Sequence, residues 1–544
     1  MYSILTKMKY IVVTGGVISG IGKGITSSSI GLLFQSMGYI VTMIKIDPYI
    51  NVDAGTMSPY EHGECYVLGD GGECDLDLGN YERFLNIDLT RNHNITTGRV
   101  YSNVIQKERN GDYLGATVQV VPHITDEIMY QINKTSRLPI NGKQPDICII
   151  EVGGTIGDIE GLPFIESLQQ MRSQSDDMFC FIHIAMAINN PEPKTKPIQH
   201  SISTLRSRGI FPDLLVIRAT EILPDEIKDK LHRLCQINIL DIVSNPNVSN
   251  IYQVPGVFNS QNICNRIGNR LQLSVKSIPD PYSKIVQYDR TNKSIQMGIV
   301  GKYITNGIKL SGKSPDTYLS LTRAIEHAAF CLNVEVNIHW LDSEQIITTD
   351  LNLYDCFIIP GGFGSRGING KLAVTKFARE SNTPLLGICL GMQIMVVEYY
   401  NAFCAKDSSN GCSREWSEYI TSPEYIIDIL PDQNNIMGGT MRLGNYTTKL
   451  LESNVMKYYN SEVITERHRH RYEVNNKYVS ELEAAGLKFV GRSDNRDNTS
   501  VKELMEIVEI SDHPFYVGCQ FHPEYKSRYE DPHPLFVNLL KSTL

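Results

Sequence analysis

One rhythm occurs twice along this chain, and it constrains the fold more than any single motif. Short β-rich apolar runs, YIVVT (10–14), IVTMIKI (40–46), ICIIE (147–151) and DLLVI (213–217), alternate with longer helix-permissive stretches. That alternation is the pattern of a parallel sheet covered by helices. It stops at KSIPDPYSKIVQYDRTNKS (276–294), rich in Pro, Lys and Asp, which reads as a linker. It resumes at IQMGIVG (295–301), CFIIPGG (356–362) and PLLGICLG (384–391), each followed by glycine-containing turns. The expected class is α/β, with two doubly wound parallel-sheet domains over 1–275 and 295–544. A chain of 544 residues is in any case too long for one hydrophobic core. No internal repeat relates the halves, and the polar stretch Lys406 to Pro431 reads as a loop or insertion.

Bulk properties exclude several functions. A net charge of −9, with 42% hydrophobic and 20% charged residues, is ordinary for a soluble globular protein and gives no basic footprint for nucleic acid. A polyanionic ligand must therefore be held locally. No apolar run reaches membrane-spanning length. Twelve cysteines lack paired metal spacing, and the start MYSILTKMKYIVV lacks a signal-peptide core and cleavage site, which points to the reducing cytoplasm. The sequon Asn94-Ile95-Thr96 then carries no weight.

In the second half, Gly387-Ile388-Cys389-Leu390-Gly391 sets a cysteine between a strand-like TPLLGI and a helix-like MQIMVVEYY. This is a nucleophile elbow with Cys for Ser. The sharp turn projects the side chain, the glycines permit close backbone approach, and the helix N-terminus favours a thiolate. A cysteine after a strand is more often a small core residue. Two further features argue otherwise. Cys519-Gln520-Phe521-His522-Pro523-Glu524 follows the apolar run FYVGCQ, and strand alternation is expected to place His522 and Glu524 on one face. His522 is then the base and later the acid, and Glu524 orients it. Pro360-Gly361-Gly362-Phe363-Gly364 offers backbone N–H groups to a developing oxyanion, each such donor being worth about 3 kcal/mol of barrier.

Glycine turn, cysteine elbow and His-x-Glu in this order resemble the class I glutamine amidotransferase family over about 295–544. The resemblance implies catalysis by Cys389, His522 and Glu524. It also implies oxyanion donors at Gly362 and Leu390, with glutamine contacts at Gly362, Leu390, Gly391, Met392, Gln393, Glu415 and Arg471. The run Glu466-Arg467-His468-Arg469-His470-Arg471 would by itself read as a solvated charged face, or as a metal or anion patch.

In the first half, Thr14-Gly15-Gly16-Val17-Ile18-Ser19-Gly20-Ile21-Gly22-Lys23-Gly24 lies between a strand and the helix-like ITSSSIGLLFQSMG. Such a loop presents N–H groups and the positive helix end to phosphate. The match to a P-loop is imperfect, because Gly24 stands where a Ser or Thr would bind magnesium. Other oxygens must hold the metal, and Asp75, Asp77 and Glu151 are the candidates. The alternation in Glu73-Cys74-Asp75-Leu76-Asp77 predicts Asp75 and Asp77 on one face toward one ion. Glu151 ends a strand, where open α/β sheets place ligand groups. Lys45, near the end of the second strand, is placed to reach the same phosphates.

The stretches KIDPYINVDAGTMSPYEHGE, DLDLGNYERF, TTGRVYS, KERNGDYLGATVQVVPHIT, EVGGTIGDIEGLPF, GGTMRLG and ERHRHRYEVNN resemble the CTP synthase family through both halves. That resemblance implies phosphorylation of UTP at O4 by ATP and displacement of the phosphate by glutamine-derived ammonia. It implies ATP contacts at Ser19, Gly20, Ile21, Gly22, Lys23, Gly24, Lys45 and Asp77, and Mg2+ on Asp77 and Glu151. UTP, or CTP as feedback inhibitor, would contact Ser19, Asp158, Ile159, Glu160, Lys194, Thr195, Lys196, Pro197, Ile198, Gln199 and Lys230. It further implies a homotetramer, possible filaments and GTP as an activator. Where the family often carries a basic residue after the Lys230 helix, this chain reads Val243-Ser244-Asn245-Pro246-Asn247-Val248, so adenine contacts there would be through the backbone. Two rivals remain: another glutamine-dependent ligase, which would lack the uracil-triphosphate site, and a regulatory binding protein, which would have lost Cys389, His522 or Glu524.

Overall fold

The computed structural model describes residues 8–16, 18–189, 193–278, 281, 294–304, 316–405, 410–419, 423–430, 441–494 and 503–544. Most of the expected linker 276–294 and part of 406–431 lie outside them. The chain forms two compact units, Met1–Ala54 with Asp77–Gln287, and Gly55–Leu76 with Tyr288–Leu544. The excursion Gly55–Leu76 thus belongs with the second unit, although nothing in its residue pattern marks it off from its neighbours.

The first unit is built on a seven-stranded sheet. Its order is Ile242–Asn245, Leu214–Arg218, Phe179–Met186, Lys9–Gly15, Ile147–Val152, Val41–Asp47 and Asn94–Thr96, with every pairing parallel. The central strands read as unbroken apolar runs because helices cover both faces. Ile11, Val12, Val13, Ile149 and Ile150 are fully buried. The helix Lys23–Ser36 packs small residues toward the sheet: a Cβ on Gly31 would press on Leu85 and Ile149.

The second unit has a nine-stranded sheet of two characters. Glu335–Asp342, Ser294–Gly301, Cys356–Ile359, Leu385–Ile388 and Tyr516–Cys519 run parallel. Glu503–Glu509, Lys488–Asp494, Arg442–Leu450 and Val463–His470 then extend it antiparallel. One apolar layer holds Val374 and Ile394, the other Ile325 and Leu539. The described part of 406–431 is not merely loop. Asn410–Ser413 pairs with Pro423–Ile429, which pairs on its other side with Tyr472–Val474, and Ile426 and Ile427 are fully buried. Among the described residues no helix is long and apolar enough to cross a membrane.

Candidate active sites

Cys389 stands between the strand Leu385–Ile388 and the helix Leu390–Phe403. Its backbone has φ 53° and ψ −102°, a conformation that costs a residue with a Cβ on the order of 1–3 kcal/mol. The flanking glycines make room for the turn. A Cβ on Gly387 would strike the Met395 sulfur and the Gly391 carbonyl, and one on Gly391 would strike the Ile359 carbonyl. Cys389 Sγ lies 3.8 Å from the Arg469 carbonyl oxygen and 3.6 Å from Gln520 Nε2.

His522 Nδ1 is 2.7 Å from Glu524 Oε1, and the imidazole is also hydrogen-bonded to Cys389. The expected pairing is present, but strand alternation does not produce it. The strand ends at Cys519, and His522 caps a tight turn over Pro523–Tyr525 that folds Glu524 back onto the ring. Burial disfavours a charged imidazole. The neighbouring Glu524 carboxylate and Cys389 outweigh it and push the His522 pKa up to about 10. The site thus favours an imidazolium held between a carboxylate and a sulfur, the arrangement that activates a cysteine nucleophile.

The glycine turn lies against this pair. A Cβ on Gly361 would come within 2.8 Å of His522 Cε1. The backbone N–H and C=O groups of the next two residues are all engaged. Phe363 N donates to Tyr303 Oη at 3.2 Å, Gly364 N donates to Glu415 Oε1 at 2.7 Å, and both carbonyls accept from Lys302 Nζ at 2.7 Å. Among the described residues the Gly362 amide has no acceptor, and the Leu390 amide, first in its helix, has no intrahelical one. These are the two donors expected for an oxyanion.

The other expected glutamine contacts divide by burial. Glu415 faces the Gly364 amide, and its carboxyl is raised by burial despite Lys302 and Arg471 nearby. Gln393 is buried, donating to the Tyr472 carbonyl and to Gln520 Oε1, both at 3.1 Å. Met392 is fully buried in the core, so only its backbone is available. Sequence reasoning missed Lys302 and Tyr303, and it missed Pro59, Glu64 and Cys65, which line the cleft beside Cys389.

The His/Arg run is neither a solvated face nor, among the described residues, a metal cluster. It is the strand Val463–His470, in which Arg467, His468 and His470 are buried. Arg467 donates to the Tyr66 hydroxyl and the Val67 carbonyl, and Arg469 pairs with Glu73 at 2.9 Å. Burial drives the His468 and His470 pKa values well below the ordinary range.

In the first unit, strand register sets Lys45 beside Glu151. Lys45 Nζ pairs with Asp77 and lies 3.6 Å from both Asp47 Oδ1 and Glu151 Oε1. Asp75 and Asp77 do not share a strand face, because the chain turns helical at Leu76 and Asp77 sits in the first turn of Leu76–Leu85. A Cβ on Gly24 would run into the Asp77 carboxylate. The absent P-loop hydroxyl is therefore replaced in space by an acid from a distant helix. Burial and the adjacent Asp77 raise Glu151 to about 8, and Tyr81 donates to it. Burial also pulls Asp77 upward, but the Lys45 ammonium overrides this and holds it low. Buried carboxylates short of positive charge fit a divalent cation, and Mg2+ needs only one or two of them when phosphate oxygens and water complete its shell.

The glycine loop opens as expected. Gly20 and Gly22 have φ 72° and 89°, a region that strains other residues, and Gly22 caps the helix that begins at Lys23. Lys23 Nζ donates to the Gly154 carbonyl, and burial lowers its pKa. Ser19, Asp158, Ile159, Glu160, Lys194, Lys196 and Lys230 are exposed. Ile198 is fully buried among Ala185, Ile202 and Ile217, so its side chain is a core contact. The Pro246 carbonyl accepts from Arg218 Nη1 at 2.8 Å, and Asn247 N donates to the Thr220 carbonyl at 3.3 Å. Both backbone groups are thus engaged within the protein, the carbonyl keeping a second lone pair.

Two family models match: CTP synthase N-terminus over residues 9–273 and glutamine amidotransferase class-I over 314–542. Among curated proteins, the CTP synthase of Methanospirillum hungatei is 47% identical over 544 residues, covering 99% of each chain. That of Methanothrix thermoacetophila is 45% identical over 98% of this chain and 96% of its own. A solved Trypanosoma brucei CTPS glutaminase domain with bound acivicin is 32% identical, covering 46% of this chain and 93% of that one, with a TM-score of 0.39. The agreement runs through both halves, and the chain belongs to the CTP synthase family.

Proposed function

We propose that the chain makes CTP from UTP, ATP and glutamine by two coupled reactions. At the first site His522 takes the Cys389 proton, and the sulfur attacks the carboxamide carbon of glutamine. The oxyanion forms against the Gly362 and Leu390 amides. His522 then protonates the departing ammonia, and water hydrolyses the thioester to glutamate. Glu524 holds the imidazole and stabilises its charge. Glu415, Gln393 and Arg471, with the backbone of Gly391 and Met392, hold the substrate. The observation that carries this half is the His522–Glu524 pair at 2.7 Å against a cysteine on a strained elbow.

At the second site the loop Ser19–Gly24, Lys23 and Lys45 bind the ATP phosphates, and the γ-phosphoryl group passes to O4 of the uracil. Ammonia then adds at C4 and phosphate leaves. Asp77 and Glu151 would hold Mg2+, which when bound neutralises phosphate charge. Lys45 is released from Asp77 to face the phosphates. Asp158 to Glu160, Lys194 to Gln199, Lys230 and Ser19 take UTP, or CTP as inhibitor. The exposure of Ser19, Asp158 to Glu160, Lys194, Lys196 and Lys230 suits sites completed in a homotetramer. GTP acts as activator, and the reaction is cytoplasmic. Ammonia is mostly protonated at neutral pH, so transfer inside the protein keeps it nucleophilic.

The test is CTP formation from UTP and ATP, with glutamine and separately with ammonium chloride. Product is expected with both nitrogen sources. A wild-type protein that makes none with either overturns the proposal.

A further inference from the structure

Lys302 follows the strand Ser294–Gly301 and is only 1% exposed. A lysine buried to that degree is unusual unless its three donors have work. Here two of them are directed at consecutive peptide carbonyls, Phe363 and Gly364, each at 2.7 Å. Its aliphatic stem packs under Gly362, where a Cβ would come within 3.2 Å of Lys302 Cδ and 3.4 Å of Cε. Glu415 takes the Gly364 amide from the other side of the turn. The lysine backbone is fixed in turn: its carbonyl accepts from Tyr60 at 3.0 Å and from Arg366, and its amide donates to Tyr318 Oη at 3.3 Å.

We propose that Lys302 is a positioning residue for glutamine hydrolysis: its ammonium clamps the Phe363 and Gly364 carbonyls so that the Gly362 amide is held toward the oxyanion. This rests on the glutaminase reading above. An amide in a flexible glycine turn would have to reorganise as charge develops, whereas one pinned through the next two peptides is preorganised, and preorganised donors carry most of this kind of stabilisation. The charge matters because an ammonium binds carbonyls about twice as strongly as a neutral amine.

The groups facing Lys302 are Glu415, Arg366, Glu344, Lys371, Tyr318 and Tyr60. Burial lowers the lysine pKa to about 8 against the partial support of Glu415. Loss of its proton just above neutrality would loosen the turn, well below the pH at which His522 titrates.

The experiment measures glutamate release across pH 6.5–9.5 for wild type, Lys302→Met and Lys302→Arg, with ammonium-driven CTP formation in parallel. Lys302→Met is expected to lose about 10²- to 10³-fold in kcat, the loss typical of removing one oxyanion donor, with KM for glutamine nearly unchanged. Ammonium-driven synthesis should be unaffected. Wild type should lose kcat near pH 8, and Lys302→Arg, permanently charged, should keep activity without that descending limb. A Lys302→Met protein with wild-type kcat, or a limb near pH 8 that persists in Lys302→Arg, overturns the inference. If Lys302→Met does not fold, the Lys302→Arg profile decides alone. Wild type that hydrolyses no glutamine sinks the glutaminase reading itself, which an active wild type with an indifferent Lys302→Met would leave standing.

Discussion

The two candidate sites solve opposite electrostatic problems. The Cys389 site is already organised: its imidazole is oriented, its charge is paired with Glu524, and the Gly362 amide lies in a turn whose next two residues are tied by Lys302, Tyr303 and Glu415. The Lys45 site is instead a cluster of buried acids gathered round one ammonium. The ammonium lies among Asp77, Asp47 and Glu151, and Lys23 donates to a backbone carbonyl. A substrate whose reacting group is a neutral carboxamide suits a site that is already organised. The phosphates and cation proposed to bind there would have to displace these internal partners.

The largest test of this contrast is Cys389→Ala. Glutamine hydrolysis should fall by about 10⁶-fold, as when a covalent nucleophile is removed, while ammonium-driven CTP formation remains. Next is Glu524→Gln, which leaves the ring in place but without its charge partner. Glutamate release should fall about 10⁴-fold, again with the ammonium reaction intact. Asp77→Asn attacks the other site. CTP formation from either nitrogen source should drop by more than about 100-fold, beyond the loss typical of an outer-shell metal partner, and glutamine hydrolysis should survive. Parallel losses of both activities in any of these three would mean that the sites are not separable.

The smallest effect is on stability. Because the folded-state pKa of His522 is raised to about 10, its contribution is fully present below its ordinary pKa near 6.5 and is lost as pH rises toward 10. Thermal unfolding should therefore fall between pH 7 and 9.5 in wild type, by about 2–4 °C per kcal/mol lost. In Glu524→Gln only Cys389 still opposes burial at the imidazole, and this decline should shrink.

The Cys389 site was the more legible of the two because its chemistry is written in short segments. An elbow, a glycine turn and His-x-Glu each specify local backbone, and the fold has only to bring three strand ends together. Even there the reason for the His522–Glu524 contact was misread: a tight turn, not strand alternation, closes it. The Lys45 site was less legible because its residues come from separate elements. Acid and apolar alternation over 73–77 suggested a strand, yet the helix beginning at Leu76 puts Asp77 against Gly24. The buried His/Arg strand looked like a solvated face because nothing local reveals that Tyr66, Val67 and Glu73 cover its arginines.

By itself, then, the sequence determined the twofold α/β rhythm, the family and the cysteine elbow at Cys389. Those depend on periodicity and on backbone geometry within a few residues. Tertiary structure alone decided that Gly55–Leu76 packs with the second unit, that the Asp77 carboxylate lies against Gly24, and that Lys302 and Glu415 grip the turn after Gly362. Each of these joins residues tens or hundreds of positions apart. Burial and pairing at such range depend on which surfaces meet, which no local pattern encodes.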